Sequence, residues 1–372
     1  MVDLLEYEGK KLFKEHKIAV PAGQLIKSSS DIRKINEYHI LKAQVPAGHR
    51  GLKGGVVKVK NKNELESAIK KMSSIDFNGF KPTSFLYETL VRHKKEIYVG
   101  LTLDRSDKTP VFIVSPFGGV DIENVPINSI KKFRLDILLG VTDYTKRAAF
   151  DFIRLAERYR LGFYAVLEAM WDIFTETDCE LVEINPLAVT DNDFVALDSK
   201  ISIEDDALFR HLEYKKNYYS ADKLEMKAKG KDIAFVRLDG DIGLIANGAG
   251  LTLATIDQIK LAGGSAGDFL DLGGTDDPAR VEEAIELVKE SNPKVLLINI
   301  FGGVTKADTV AKGIINAITR LNIKFGIVVR LKGFNEDRGR RLLKDKGIDS
   351  FIDMDEAVKR AVELSKLYGN TY

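Results

Sequence analysis

From about residue 232 onward, apolar and polar positions come in blocks. A continuous apolar run ends in glycine, and an amphipathic stretch follows. IAFVRLDGDIGLIANGAG opens into LTLATIDQIKLAGG, FLDLGG into DDPARVEEAIELVKES, VLLINIFGG into KADTVAKGIINAITRL, and GIVVRLKG into NEDRGRRLLKDKG. Each unit is roughly thirty residues, the size of a βα repeat. Strands that are apolar throughout are buried on both faces, so the pattern predicts a doubly wound α/β domain with helices on either side of a parallel sheet. Asp277 and Pro278 predict the N-cap and first residue of a helix over ARVEEAIELV.

The front half is less regular. In MVDLLEYEGKKLFKEHK, Leu4, Leu5, Glu8, Leu12 and Phe13 recur at helical spacing, with both charge signs running through the apolar positions. VPAGQLI, ILKAQV, FLYETLV, KEIYVGLTLDR and TPVFIVSPFGGVDIE predict strands, and ELESAIKKM a helix. LVEINPLAVTDNDFVALDSK reads as two strands around the turn-forming Asp191-Asn192-Asp193, with Pro186 breaking the first. The polar, lysine-rich NYYSADKLEMKAKGK separates the two grammars, so the expected domains are residues 1–225 and 226–372.

Composition narrows the class. Hydrophobic residues at 44% and charged residues at 30% fit a soluble globular protein, and 372 residues fit two or three domains. Lys+Arg 56 against Asp+Glu 55 leaves no global basic field, which argues against nucleic acid as a partner. No apolar run is long enough to span a bilayer, and the first residues lack the pattern of a signal peptide. The single cysteine, Cys179, excludes an internal disulfide and reads as a core residue. The expectation is a cytoplasmic protein with no membrane partner.

Candidate chemistry gathers at two kinds of place. In a parallel sheet the ligand site lies at the carboxyl ends of the strands, which here read NGAG (247–250), DLGGT (271–275) and FGGV (301–304). Glycines there let backbone N–H groups approach a small anion, a carboxylate or a phosphate. NGAGLTL carries Leu253 where a dinucleotide fingerprint needs its third glycine, which disfavours a nicotinamide-dependent oxidoreductase. In the front half, PAGHRGLKGG has no Walker A order but offers flexible backbone donors beside Arg50 and Lys53. Lys42 stands inside the apolar ILKAQV. Such a lysine either meets an anion at a cleft or points to water from an edge strand. Glu183, Asn185 and Asp198 sit where a packed hairpin wants Val or Ile.

The landmarks LLEYEGKKLF, ILKAQVPAGHRGLKGG, LYETLVRHKKEIYVGLTLDRS, LVEINPLAV, ALDSK, ANGAGL, FLDLGG and NIFGGV occur in that order over nearly the whole length. In them the chain resembles the β subunits of succinyl-CoA synthetases (succinate–CoA ligases). The resemblance implies an ATP-grasp domain followed by a flavodoxin-like ligase domain. The reaction it implies is succinate + CoA + ATP or GTP giving succinyl-CoA, the nucleoside diphosphate and phosphate. It assigns Mg²⁺ to Asn185 and Asp198, and to Glu183 the positioning of the phosphorylated group. Lys42 would contact nucleotide phosphate under the loop His49-Arg50-Gly51. Glu88 and Val91 would border the purine and its linker, and Glu96 the ribose. Asn247 and the loop Gly302-Gly303-Val304 would hold the carboxylates of the acid. The family usually writes Gly-Gly-Arg-Gly where this chain has Gly48-His49-Arg50-Gly51, so a backbone contact is implied at 49 but no side-chain role.

The resemblance also implies a partner α subunit that carries a phosphohistidine and binds CoA. The five histidines here, His16, His39, His49, His93 and His211, include none in a glycine-lined turn of the second half. The rival readings are a sister ligase for malate or another small acid, and a nucleotide-binding regulatory subunit without catalysis.

Overall fold

The computed structural model describes residues 2–48, 50–119, 122–214 and 222–368. Contacts divide the chain into two compact units, Met1–Ala221 and Asp222–Tyr372. In chain order the first holds β1 (Val2–Asp3), α1 (Glu6–Glu15), β2 (Gly23–Ile26), β3 (His39–Ala43), β4 (Val56–Val59), α2 (Lys62–Ser74), β5 (Phe85–Thr89) and β6 (Lys95–Asp104). It continues with β7 (Thr109–Ser115), β8 (Lys131–Arg134), α3 (Asp143–Ile153), α4 (Arg160–Glu176), β9 (Cys179–Val189), β10 (Phe194–Ala196) and β11 (Lys200–Ile203).

Among the described residues this unit forms two sheets. The smaller runs β2-β5-β3-β4 and packs Leu41, Val59 and Tyr87 against Leu65 and Met72 of α2. The larger runs β1-β11-β9-β6-β7-β8, with β10 beside β9, and its core joins Val99, Val182 and Ile184 to Phe13 of α1 and Phe163 and Met170 of α4. Cys179 belongs to that core, and burial pushes its thiol up to about 12. Pro186 does not break β9, which runs through it with a cis Asn185–Pro186 bond. Proline brings no N–H to the ladder. Here Asn185 and Pro186 of β9 stand opposite Tyr98 alone of β6, a bulge in β9.

The second unit holds α5 (Lys223–Lys229), β12 (Ala234–Arg237), β13 (Ile242–Ala246), α6 (Ala249–Leu261), β14 (Ala266–Asp271), α7 (Pro278–Ser291) and β15 (Val295–Gly302). After these come α8 (Ala307–Leu321), β16 (Gly326–Gly333), α9 (Glu336–Lys344), β17 (Ser350–Phe351) and α10 (Met354–Tyr368). The sheet order is β12-β14-β13-β15-β16-β17, parallel except for β12. β15 shows why the runs are apolar throughout. Leu296, Ile298 and Ile300 face the core made with α7 and α8, while Val295 and Leu297 face the core made with α6 and α10. Asp277 caps α7 by accepting from the Ala279 N–H at 2.9 Å, and Pro278 is the first helical residue. The run IAFVRLDGDIGLIANG, read as one strand, is two: the turn chemistry of Asp239-Gly240-Asp241 sends β12 back to the edge, antiparallel to β14. No described helix of either unit is long and apolar enough to cross a membrane.

One carboxylate lies inside this sheet. Asp268 on β14 is 1% exposed, and it accepts from Ser291 Oγ and, at 3.4 Å, from the Leu244 N–H. Burial pushes its carboxyl up to about 6, against the pull of Arg237 on β12. A folded-state value above the unfolded one means that the native chain holds the proton more tightly. Stability from this group is therefore full below about pH 4 and declines as pH rises through about 6. Asp268→Asn removes the charge, keeps an oxygen for the Leu244 N–H, and can donate from its amide to Ser291 Oγ. It should raise stability by ~2 kcal/mol near pH 7, with the gain vanishing near pH 4. Urea unfolding of both proteins at the two pH values measures this, and an equal gain at both would exclude the charge as its cause.

Candidate functional site

The site in the first unit starts from α1. Glu6, Gly9, Lys10 and Phe13 share its inward face at spacings of three and four, and all are buried. Gly9 is required by a close approach, since a Cβ there would lie 2.6 Å from Ser199 Oγ. That hydroxyl donates to the Glu6 carbonyl at 2.9 Å, seating the helix on the segment after β10.

Around this contact, charges converge from five segments. Glu6 accepts from Lys10 at 2.8 Å, from Lys42 of β3 at 2.7 Å, and from Arg50 at 2.9 Å. Glu88 of β5 accepts from Lys10 at 2.7 and 2.8 Å and lies 3.2 Å from Lys42. Both lysines also donate to the Leu197 carbonyl. Arg50 reaches Asp198 at 3.1 Å and the Ala43 carbonyl at 3.0 Å. Buried charge is stable only when paired, and here three carboxylates meet three cations. Burial pushes the Glu6 carboxyl upward, but Lys10, Lys42 and Arg50 outweigh it and hold the group far below the usual range. Burial likewise works against the Lys42 cation, and the charges of Glu6, Asp198 and Glu88 raise it instead. For Asp198, burial and the Glu6 charge raise the carboxyl while Arg50 and Lys42 oppose them.

The hairpin supplies the second part. β10 pairs with β9 from Phe194↔Val189 to Ala196↔Leu187, Leu197 N donates to the Pro186 carbonyl at 3.0 Å, and pairing resumes at Lys200↔Glu183. This register sets Asp198 opposite Asn185, and alternation puts Glu183 on the same face as Asn185. Tyr98 donates to Glu183 at 3.0 Å, and Asn185 Oδ1 accepts from the Gly119 N–H at 2.8 Å. An amide oxygen and a carboxylate opposite one another suit Mg²⁺, which keeps several waters and takes the rest of its shell from phosphates. No described group of three or more His, Cys, Asp or Glu residues could hold a metal by itself.

The other anticipated positions are distributed as follows. Lys42 is no edge lysine, because β3 lies between β5 and β4. Glu88, expected beside the purine, has its carboxylate engaged by Lys10 and Lys42. Val91 is half-buried and its carbonyl accepts from His93, whose other ring nitrogen meets Glu96 at 2.8 Å. Gly51 is exposed with open space around it, and His49 lies outside the described residues. Sequence reasoning passed over Glu6 and Lys10. The signal was present as an acid and a base four apart on the apolar face of a helix.

In the second unit, Asn247 follows β13 and exchanges two hydrogen bonds of 2.9 Å with the backbone of Phe301. It thereby ties the ends of β13 and β15, the point where the strand order reverses. Beyond it run Gly302, with φ of 138°, Gly303 and Val304, which is 73% exposed. Not every glycine amide at these strand ends faces a ligand: Asp271 accepts from Gly248 at 2.7 Å and from Gly273 at 2.9 Å.

Comparison with known proteins agrees with both halves. The ATP-grasp domain family matches residues 3–189, and the CoA-ligase family matches residues 245–364. The β subunit of ADP-forming succinate–CoA ligase from Staphylothermus marinus is 41% identical, covering 98% of each chain. The same subunit from Desulfurococcus amylolyticus is 40% identical, covering 98% of this chain and all of its own. The fold of ATP citrate lyase from Methanothrix soehngenii superposes over 97% of this chain and 99% of that one, with a TM-score of 0.76 at 19% identity. With its two domains in this order and its relatives alike from end to end, the chain belongs to the β-subunit family of the ADP-forming succinate–CoA ligases.

Proposed function

We propose that this chain is the β subunit of an enzyme that interconverts succinate, CoA and ATP with succinyl-CoA, ADP and phosphate. The observation that carries the reading is the cross-strand pair Asn185 and Asp198 beside Lys42 and Arg50, in a chain whose full-length relatives bear that name. Lys42 and Arg50 neutralise the phosphates, and Asn185 and Asp198 would hold Mg²⁺, which draws charge from the phosphates when bound. Glu183, braced by Tyr98, orients the phosphorylated group that meets the nucleotide. Glu96 and Val91 border the ribose and the base linker, and Glu88 acts as counter-ion to Lys42. Asn247 fixes the loop Gly302-Gly303-Val304, whose amides take a carboxylate of the acid.

The carrier of the phosphoryl group comes from a partner α subunit that also binds CoA. All five histidines of this chain lie in the first unit. Of the four described, His16 meets Glu176, His39 stacks on Tyr87, His93 meets Glu96 and His211 meets Asp178. A nucleophile must lie in reach of the group that it attacks, and each of these rings is engaged by a neighbouring side chain, His93 by the Glu96 of the proposed ribose border.

Three outcomes test the reading. Asp198→Ala should abolish turnover at saturating Mg²⁺ yet unfold near the wild-type temperature, since Arg50 keeps Glu6 as a partner. Near-normal activity would remove Asp198 from the metal site. Lys42→Met should weaken Mg–ATP binding at least about tenfold in calorimetry, the effect of ~1.4 kcal/mol, and leave succinate binding unchanged. Equal weakening of both ligands would mark general damage instead. Finally, the chain purified alone and given radiolabelled ATP with Mg²⁺ should acquire no acid-labile, base-stable label, whereas its partner should be labelled when added. Stoichiometric labelling of the lone chain would overturn the two-subunit reading.

A further inference from the structure

We infer that Glu6 is a positioning residue for the nucleotide step, holding Lys42 and Arg50 against the hairpin face that carries Asn185 and Asp198. The inference rests on the reading of those four residues as the nucleotide–metal site. Glu6 divides its two oxygens between them: Oε1 takes Lys42 at 2.7 Å and Oε2 takes Arg50 at 2.9 Å. The two cations come from β3 and from the loop after it. Glu6 is the one carboxylate among the described residues that bridges the two directly.

Lys10 in turn fixes Glu6. It pairs with Glu6 at 2.8 Å, grips Glu88 through both oxygens, and donates to the Leu197 carbonyl, one residue before Asp198. The backbone of α1 is tied to the same segment by Ser199.

Exposure separates the two acidic partners of Arg50. The Glu6 side chain has no solvent contact, whereas 39% of the Asp198 side chain is open. When a cation takes the Asp198 carboxylate, Arg50 loses that partner and keeps Glu6. Its guanidinium, only 11% exposed, then remains beside the hairpin as a phosphate ligand and does not turn to water. Glu6 is thus the permanent partner and Asp198 the exchangeable one.

A simpler role, balancing buried charge so that the unit folds, is separable by experiment. Glu6→Asp keeps the charge but withdraws the carboxylate by one methylene, so that it cannot hold all three cations. In the assembled two-subunit enzyme it should raise KM for Mg–ADP about tenfold, equivalent to ~1.4 kcal/mol. KM for succinyl-CoA should stay unchanged, and calorimetric Mg–ADP affinity should fall by the same factor. The double variant Glu6→Gln/Lys10→Met removes one charge of each sign and leaves the cluster balanced. It too should bind Mg–ADP about tenfold more weakly. Wild-type Mg–ADP affinity in Glu6→Asp overturns the inference, and so does wild-type affinity in a folded double variant. Should the double variant not fold, Glu6→Asp decides alone. Lys42→Met, run in parallel, separates the two readings: if it leaves nucleotide affinity intact the site assignment itself fails, and if it alone weakens binding only the role of Glu6 does.

Discussion

Burying the Glu6 carboxylate costs several kcal/mol by itself, and only its three cationic neighbours offset that cost. The partners come from α1 itself, from β3, and from the loop after β3. Glu88 brings in β5, and Asp198 with the Leu197 carbonyl brings in the hairpin of the larger sheet. Satisfying one charge therefore brings two sheets and a helix to a common point. Removing Glu6 itself leaves two acids against three buried cations, far more destabilising than the loss of a surface pair, whereas removing Asp198 leaves Arg50 paired with Glu6. The chain joins its folding to its candidate chemistry here, since the cations that stabilise Glu6 are those that face the hairpin.

The second unit meets a different constraint with different means. A parallel sheet covered on both faces admits few polar side chains, Asp268 among them, and glycine accumulates at the carboxyl ends of its strands. Those ends still need to be held in register, and two side chains do it. Asn247 bridges to Phe301, and Asp271 gathers the amides of Gly248 and Gly273. The consequence is a loop at Gly302-Gly303-Val304 that projects from a fixed base. A loop on a rigid base suits an anion site better than one that has to be ordered by its ligand.

The two halves differed in how far their sequence could be read, for a physical reason. In the second, burial on both faces writes itself as unbroken apolar runs, and the capping of α7 by Asp277 is local chemistry. The split of β12 from β13 was hidden because both strands are apolar and only a three-residue turn divides them. In the first half, a lysine within ILKAQV was conspicuous because that run is apolar, yet its partners were not. Glu6 lies 36 residues away and Glu88 lies on a strand that itself read as ordinary. Charges on an N-terminal helix are common enough to be passed over. What betrays Glu6 and Lys10 is their helical phase, shared with Gly9 and Phe13 on the inward face. The resemblance pointed to Asn185 and Asp198, and the register on either side brings them opposite one another, which no spacing in the sequence could convey.

The balance of the cluster bears on how a nucleotide can bind at all. With three acids and three bases paired, the phosphates do not enter a field of bare positive charge. On the proposed reading they would exchange with a carboxylate that is already there, so the gain would be the difference between two ion pairs, not the whole of one. Glu6 and Glu88 are too deeply buried to leave, whereas Asp198 is partly open and is bound by Arg50 and by the Ser199 N–H. On the proposed reading, a divalent cation bound with the phosphates would give Asp198 a new partner and free one face of Arg50. On that reading metal and nucleotide binding would be coupled by electrostatics: the metal would take up the Asp198 charge that opposes the phosphates, and the phosphates would give Arg50 a second counter-ion beside Glu6.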